Sequence, residues 1–479
     1  VVLTMPDYPT SAMRLGVVWR DKEGMNSMVI PARAVIASSG PFLTYGNNSK
    51  KVLASQGGEL HLVFSTGNPF SSVYPPDTPK VFWTKSQDFG QTWNVPTLLG
   101  SGYLPGLALR SFPNGEEALA CVWLNPDGQG KLDLMYSYRK QNQSSWSAPV
   151  SLGKINYSGA VPGLAIDPKG KGVHIAVDDY SAGTHQLLYF SGKYDKPTKI
   201  RKTVVSSWSA ALPPMDTIFY PIPVPAETLP RDSVIRDTFV VVNPLLCPSV
   251  AVDYNGGVHM AWDDRASGVV YYGFKGPDQA NWTVLQISHP GRYARNPSLD
   301  VYGAQVYITW EEDEVYFQTW GYVDAPMTFL REDTLFTYEP MWAYSFTAKG
   351  AGVAYNWWSK ESRTSGVDFA RYFPSRDAWE SDSIRVFRDL SRPNPTFESY
   401  WDRSKAFDWL AWTSSFVAYT YNQTPLPPES TAVPPWWPTP NPVWYFLESR
   451  VYPREMRDVP PFYALWLGTE NPTPYTQQR

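Results

Sequence analysis

The chain has 479 residues, with 41 Lys and Arg against 45 Asp and Glu, a formal net charge of -4, and two cysteines, Cys121 and Cys247. No basic run stands out as a phosphate track, which argues against a nucleic-acid binder, and the cysteine count excludes a Cys-based metal cluster or a disulfide-dense fold. Charged residues make up 18 % and aromatics 15 %, with 45 Pro and 33 Gly, which points to short aromatic-bearing strands punctuated by turns.

In chain order, one alternating pattern recurs. It runs as RLGVVWRD from Arg14, GGELHLVFS from Gly57, EALACVWLN from Glu117 and GKGVHIAVDD from Gly170. It continues as GGVHMAWDD from Gly256, YGAQVYITWEE from Tyr302, KGAGVAYNWWS from Lys349 and AFDWLAWTS from Ala406. The marker positions are Trp19, Phe64, Trp123, Val177, Trp262, Trp310, Trp358 and Trp412, so the period is about 50 residues, with one longer step after Val177. Two-residue alternation at this period excludes a helical solenoid. Four strands fit in each unit, and radial repetition of such units covers both faces of every sheet. The fold predicted is therefore all-β: a β-propeller of four-stranded antiparallel blades, eight by count, with seven as the alternative.

Two segments break the texture. Residues 201–243 are proline-rich around 213–230 and predict an insertion, either a loop over one face or a degenerate unit. Residues 425–442 are richer still in proline and enclose Trp436 and Trp437. The division is thus a propeller over 1–424 and a Pro- and aromatic-rich strap over 425–479, packed on the ring or on a neighbouring molecule. No membrane span is expected, because the most apolar stretch, 238–252, is interrupted by Asn243, Pro244 and Pro248. No leader segment is read at the start. Asn47, Asn142, Asn156, Asn281 and Asn422 open N-linked glycosylation sequons and favour an extracellular or cell-surface address. The two cysteines fit either one bridge or two free thiols.

Carboxylates follow the marker repeatedly: Asp21, Asp178 and Asp179, Asp263 and Asp264, then Glu311 to Glu314. In a propeller the loop after strand two shares a face with the loop entering strand one, so these acids gather on one face beside Arg265 and Arg295. Three roles fit: capping turns, ligating a hard cation such as Ca²⁺, or acid/base work on a glycoside. Asp264 and Glu312 are the candidate catalytic pair, with Arg295 as a clamp. Asp179, Arg265, Arg295, Tyr272 and Trp358 are the candidate ligand contacts, the last two because aromatic doublets exceed what strand cores require. His61, His174 and His259 share one repeat position and predict buried, hydrogen-bonded imidazoles rather than zinc ligands. No cofactor is expected beyond the Ca²⁺ option.

Ser86, Asp88, Gly90 and Trp93 lie in SQDFGQTW, a hairpin lock in which Asp88 accepts turn N–H groups, Gly90 relaxes the backbone and Trp93 packs between sheets. This stretch resembles the Asp-box of bacterial neuraminidase repeats. Together with units such as CPSVAVDYNGGVHMAWDD, it makes residues 12–420 similar to the sialidase-like superfamily of propellers. The resemblance implies a glycan-handling fold. In sialidases of that family three arginines clamp the substrate, the first in a Phe/Tyr-Arg-Ile-Pro stretch. Here MVIPARAV from Met28 has no arginine before Ile30, and the first clamp residue is not carried over. Two functions follow: a glycan- or protein-recognition or assembly module without catalysis, self-association included, or an exo-acting glycoside hydrolase using the acidic channel mouth. No nucleic acid is expected as partner.

Overall fold

The computed structural model describes the strands given below at the level of the backbone. Side chains are described within residues 48–208 and 246–334, apart from 56–58, 66–78, 88–93, 113–115, 141–142, 158, 182, 302–303, 314, 331 and 333. Among the described residues no helix is long and apolar enough to cross a membrane.

Alternating apolar residues and frequent turns produce antiparallel sheets, beside one short parallel pair of Val2–Leu3 with Arg33–Ala34. Sheet I comprises Val52–Ala54, Leu60–Ser65, Lys80–Ser86 and Thr97–Ser101; sheet II, Tyr103–Ser111, Glu117–Pro126, Leu132–Arg139 and Val150–Ile155. Sheet III holds Gly163–Ile166, Gly172–Ser181, Thr184–Lys193 and Arg201–Ser209; sheet IV, Ser249–Val252, Val258–Asp264, Val269–Lys275 and Thr283–Gln286. Sheet V holds Ala294–Tyr302, Gln305–Glu312, Val315–Tyr322 and Phe329–Leu335; sheet VI, Phe346–Lys349, Gly352–Ser359, Thr364–Phe373 and Ala378–Phe387. Sheet VII is assembled from both ends of the chain. Asn394–Trp401, Lys405–Ser415, Val443–Pro453 and Phe462–Gly468 are followed laterally by Arg14–Asp21 and Gly24–Pro31.

The first strand of each sheet packs against that of the next, and sheet VII returns to sheet I. Two features of these sheets bear on the expected layout. The eight marker strands fall into seven sheets, because the strands of Trp19 and Trp412 share sheet VII. The C-terminal stretch predicted as a strap instead supplies Val443–Pro453 and Phe462–Gly468 to that sheet, while residues 425–442 lie outside the described residues. Within the expected insertion, Arg201–Ser209 completes sheet III, and among the described residues the ribbon of Asp216–Tyr220 with Thr238–Val242 follows before sheet IV.

The core is distributed between neighbouring sheets. The markers Trp123, Trp262 and Trp310 are fully buried there, where a flat ring fills the gap between two pleated surfaces. Gly102 shows what this packing demands. Its φ of +133° suits glycine, and a Cβ there would meet the Leu124 carbonyl at 2.3 Å and the Trp123 ring at 2.5 Å.

Residues 48–51, which lead into sheet I, tie the first strands together at the hub. The Asn48 Nδ2 donates to the carbonyls of Val161 and Pro248, each at 2.9 Å. Ser49 Oγ donates to Pro162 O, and Leu107 N–H donates to Lys50 O at 2.8 Å. Backbone groups of sheets II, III and IV thus converge on one segment, which satisfies polar atoms that strand ends would otherwise bury unpaired. Cys121 and Cys247 are both free and buried, and burial pushes both thiols up.

The three repeat histidines are hydrogen-bonded, His61 and His259 fully buried and His174 half-buried. His174 Nδ1 meets the Tyr189 hydroxyl at 2.5 Å, and burial lowers its pKa to about 4. His259 joins Tyr272 OH at 2.7 Å to Asp253 at 3.0 Å. His61 departs from the pattern by reaching out of its own sheet to Glu117 of sheet II at 2.7 Å, with Arg139 at 3.4 Å. Burial pushes Glu117 up, but the hydrogen bond and charge of His61, the Ser55 hydroxyl and Arg139 outweigh it and hold the carboxyl below its ordinary value. A depressed carboxylate contributes stability above its unfolded pKa of about 4.3 and loses it as pH falls through the folded value. Glu117→Gln is therefore expected to flatten the acid limb of thermal stability below about pH 4.3, read as Tm against pH.

Candidate functional site

Second strands end in acidic pairs, and alternation sends the two members to opposite sides of the sheet. Asp178, Asp263 and Glu311 face one side, Asp179, Asp264 and Glu312 the other. All are buried except Asp264, which is partly exposed.

The outer members act as clasps. Asp179 Oδ1 accepts the N–H groups of Asn156 at 2.7 Å and Tyr157 at 3.2 Å, and Oδ2 accepts Asn156 Nδ2 at 3.0 Å. Glu312 accepts Trp310 Nε1 at 3.0 Å, the His289 N–H at 3.2 Å and His289 Nδ1 at 2.9 Å, with Arg292 at 3.7 Å. Asp313 accepts the Tyr293 N–H at 3.0 Å. Each clasp fixes the loop that enters the first strand of its own sheet, which places both kinds of loop on one face. Asp264 instead closes its own turn, accepting Ala266 N–H at 3.0 Å and Ser267 Oγ at 2.6 Å.

The inner members form a bonded chain across sheets IV and V. Asp263 Oδ2 accepts Arg265 Nε at 2.6 Å and the Asn296 N–H at 3.2 Å. Arg265 Nη2 donates to Asn296 Oδ1 at 2.6 Å, Asn296 Nδ2 donates to Glu311 at 3.2 Å, and Arg295 donates to Glu311 at 2.5 Å. Asn296 takes φ +54° at the bulge between Arg295 and Ser298, a conformation that asparagine tolerates better than most residues. In sheet III the corresponding Asp178 meets His185 Nε2 at 2.5 Å. Burial, reinforced by Asp263 and Asp264, raises Asp178; burial opposes the charge on His185, but its bond to Asp178 prevails and raises it.

The residues singled out from the sequence are placed as follows. Glu312, expected as a catalytic partner of Asp264, is fully buried with its oxygens occupied, and Arg295 pairs with Glu311 instead. Arg265 and Asp179, expected as ligand contacts, are buried and committed to neighbours. Tyr272 lies in the core against Phe329 and His259, because it occupies the inward position of its strand. Trp358 lies in the second strand of sheet VI, with its side chain outside the described residues. Asp21 falls outside them likewise, as do Asp88, Gly90 and Trp93; Ser86 is buried at the end of its strand. Trp146 packs edge-on against Trp83 at 5.7 Å, between sheets I and II.

Among the sequons, Asn281 and its Thr283 are exposed, whereas Asn156 is held by Asp179. Asn47, Asn142 and Asn422 lie outside the described residues, although Ser49 of the first sequon is buried. For a metal, Glu59, His61 and Glu117 bring one ligand atom each within 4.8 Å, yet Lys85 pairs with Glu59 and Arg139 with Glu117. At the strand ends the oxygens that Ca²⁺ would need at Asp179, Asp264 and Glu312 already accept N–H and O–H donors.

Sequence inspection missed the rim built by the loop before sheet V. Tyr293 is 40 % exposed, with Arg295 over its ring at 6.0 Å. His289 spans Glu312 and Glu332, its Nε2 lying 3.1 Å from the latter. Arg292 lies beside Asp313 at 4.0 Å. A loop sequence of HPGRYARN carries no periodic signal, and only its anchoring to Glu312 and Asp313 reveals the position.

Topology adds a further asymmetry. The long connections 32–51, 66–79, 210–248 and 416–442 all leave strand ends on this face, whereas the longest on the other face span 87–96 and 140–149. Elaboration of loops on one face of a rigid scaffold is the ordinary way a binding surface is built.

No family model and no curated protein matches the chain. Among solved structures, it is similar to a protein of unknown function from Dyadobacter fermentans DSM 18053, at 12 % identity and a TM-score of 0.41 over 88 % of this chain and 98 % of that one. It is similar to SapL1 lectin in complex with alpha methyl fucoside, at 10 % identity and a TM-score of 0.40 over 72 % and 98 %. It is also similar to the NanB sialidase from Streptococcus pneumoniae, at 9 % identity and a TM-score of 0.36 over 81 % and 71 %.

Proposed function

We propose that the chain is a seven-bladed β-propeller that acts as an extracellular or cell-surface carbohydrate-recognition module, binding glycan on the face where the second strands end and performing no chemistry there. The observation that carries this reading is the employment of the carboxylates. Asp179, Glu312 and Asp313 clasp entering loops, and Asp263 and Glu311 saturate Arg265 and Arg295. A glycosidase requires two carboxyl groups free to act across a cleft. Among the described residues the loop before sheet V presents to solvent an aromatic ring, Tyr293, flanked by hydrogen-bonding side chains, the composition of a surface that stacks on a sugar ring.

A glycan array followed by titration of the best ligand tests the proposal. Tyr293→Ala is expected to weaken binding roughly thirtyfold, the cost of losing a central aromatic anchor. Wild type is expected to release no sugar from the same ligand, and Asp264→Asn to bind as wild type does. Turnover by wild type that disappears in Asp264→Asn overturns the non-catalytic reading in favour of a hydrolase.

A further inference from the structure

Sheet III carries a second charged surface at its opposite end, about 30 Å from the acidic turn given its ten-residue third strand. The connection between its first two strands holds Lys169 and Lys171. The connection between its last two, with the start of the fourth strand, holds Lys193, Lys196, Lys199, Arg201 and Lys202. All seven side chains are exposed.

The fold brings these two groups together. The Tyr194 N–H donates to the Lys171 carbonyl at 2.9 Å, Gly172 pairs with Lys193, and Ser191 pairs with Arg201. Arg110 of sheet II donates to the carbonyls of Lys169 and Gly170 and so anchors the first connection. Lys169 also reaches the Tyr254 ring of sheet IV at 5.2 Å. Among the described residues no ion pair joins any of the seven to a carboxylate. Acids share the area, among them exposed Asp324, which accepts the Tyr254 hydroxyl at 3.4 Å. Asp167 accepts the Lys169 N–H at 2.8 Å, and half-buried Asp195 faces inward, where its charge acts on Tyr136.

We infer that this end of sheet III is a docking surface for a linear anionic polysaccharide bearing carboxylate or sulfate groups. Cations on two adjoining connections act jointly, because screening sets in only over about 8–10 Å. The chain as a whole is negative, so the entire negative excess lies outside this patch. A stiff duplex or a lipid bilayer extends past the patch and meets that repulsive remainder. A flexible chain with one charge per sugar or two can follow the patch alone. Six of the seven are lysines, whose hydrated point charges on mobile stems suit irregularly spaced anions, whereas the fork of arginine suits fixed bidentate partners.

Retention on immobilised heparin and polygalacturonate tests this surface without reference to the acidic face. Wild type is expected to be retained at physiological salt despite its net charge. Lys193→Gln/Lys196→Gln/Lys199→Gln is expected to bind roughly tenfold more weakly, and Lys169→Gln/Lys171→Gln to lose affinity in the same direction. Both sets lie at exposed positions, and an unchanged urea midpoint verifies the fold. Tyr293→Ala is expected to be retained like wild type, which separates this proposal from the preceding one. Absence of retention, retention indifferent to both sets of substitutions, or tighter binding to a short DNA duplex or to phosphatidylserine vesicles overturns it.

Discussion

Lys51→Met is expected to stabilise the protein at pH 7 by a few kcal/mol. Lys51 is fully buried at the hub, donating to the Ser49 carbonyl at 2.9 Å, and burial lowers its pKa to about 7. Nearby Cys247 and Cys121 act weakly in the opposite direction, and Lys50 adds to the lowering. A drop of roughly three and a half pH units from the ordinary lysine value corresponds to about 4–5 kcal/mol, of which the lost polar contacts, the hydrogen bond to Ser49 among them, give back about 1–2. The penalty is complete below pH 7, where the amine is charged in both states. It is relieved as pH rises from 7 towards 10.4, because there the unfolded chain binds the extra proton. The stability difference between variant and wild type should therefore shrink by about 1.4 kcal/mol per pH unit above 7. The cysteines titrate in both proteins and largely cancel. Urea denaturation of both at pH 6, 7, 8 and about 9 measures this; a difference that stays constant across the series refutes the assignment.

Arg265→Leu is expected to cost about 3–5 kcal/mol, because it leaves Asp263 charged and buried without its cation. The same change removes a donor from Asn296, whose left-handed backbone depends on being held from several sides. Asp263→Asn/Arg265→Leu should recover part of that loss, since the uncompensated charge goes with the arginine. The two single variants and the double form a cycle whose coupling energy isolates the pair. A single variant within about 0.5 kcal/mol of wild type would show Arg265 to be spare, and available to a ligand after all.

The second strands were legible from sequence because their signal is local. Alternation around Trp123, Trp262 and Trp310 sets which side of the sheet each residue occupies, and the strands appear where the pattern predicts them. His259 was legible as a buried imidazole, and His174 as a hydrogen-bonded one, for the same reason. The number of sheets was not. Trp19 carries a valid local pattern, yet its strand joins the sheet of Trp412, nearly four hundred residues away, on account of ring closure alone.

The candidate site divides along the same line. That carboxylates would gather on one face follows from the repeat, but which of them would be free does not. Asp264 and Glu312 occupy equivalent positions, and one closes its own turn while the other is sealed beneath His289. Tyr271 and Tyr272 are neighbours in sequence; only packing against Phe329 consigned the second to the core.

By itself, then, the amino-acid sequence determined strand periodicity, the repeat and the positions of its acids, since these depend on neighbours a few residues apart. Closure through sheet VII, the commitment of Asp179, Glu312 and Arg265 to structural bonds, the exposure of Tyr293 and the assembly of the lysine surface were decided by tertiary structure. The reason is physical: burial and hydrogen-bond saturation depend on atoms contributed by other sheets, and no local pattern encodes which atoms those are.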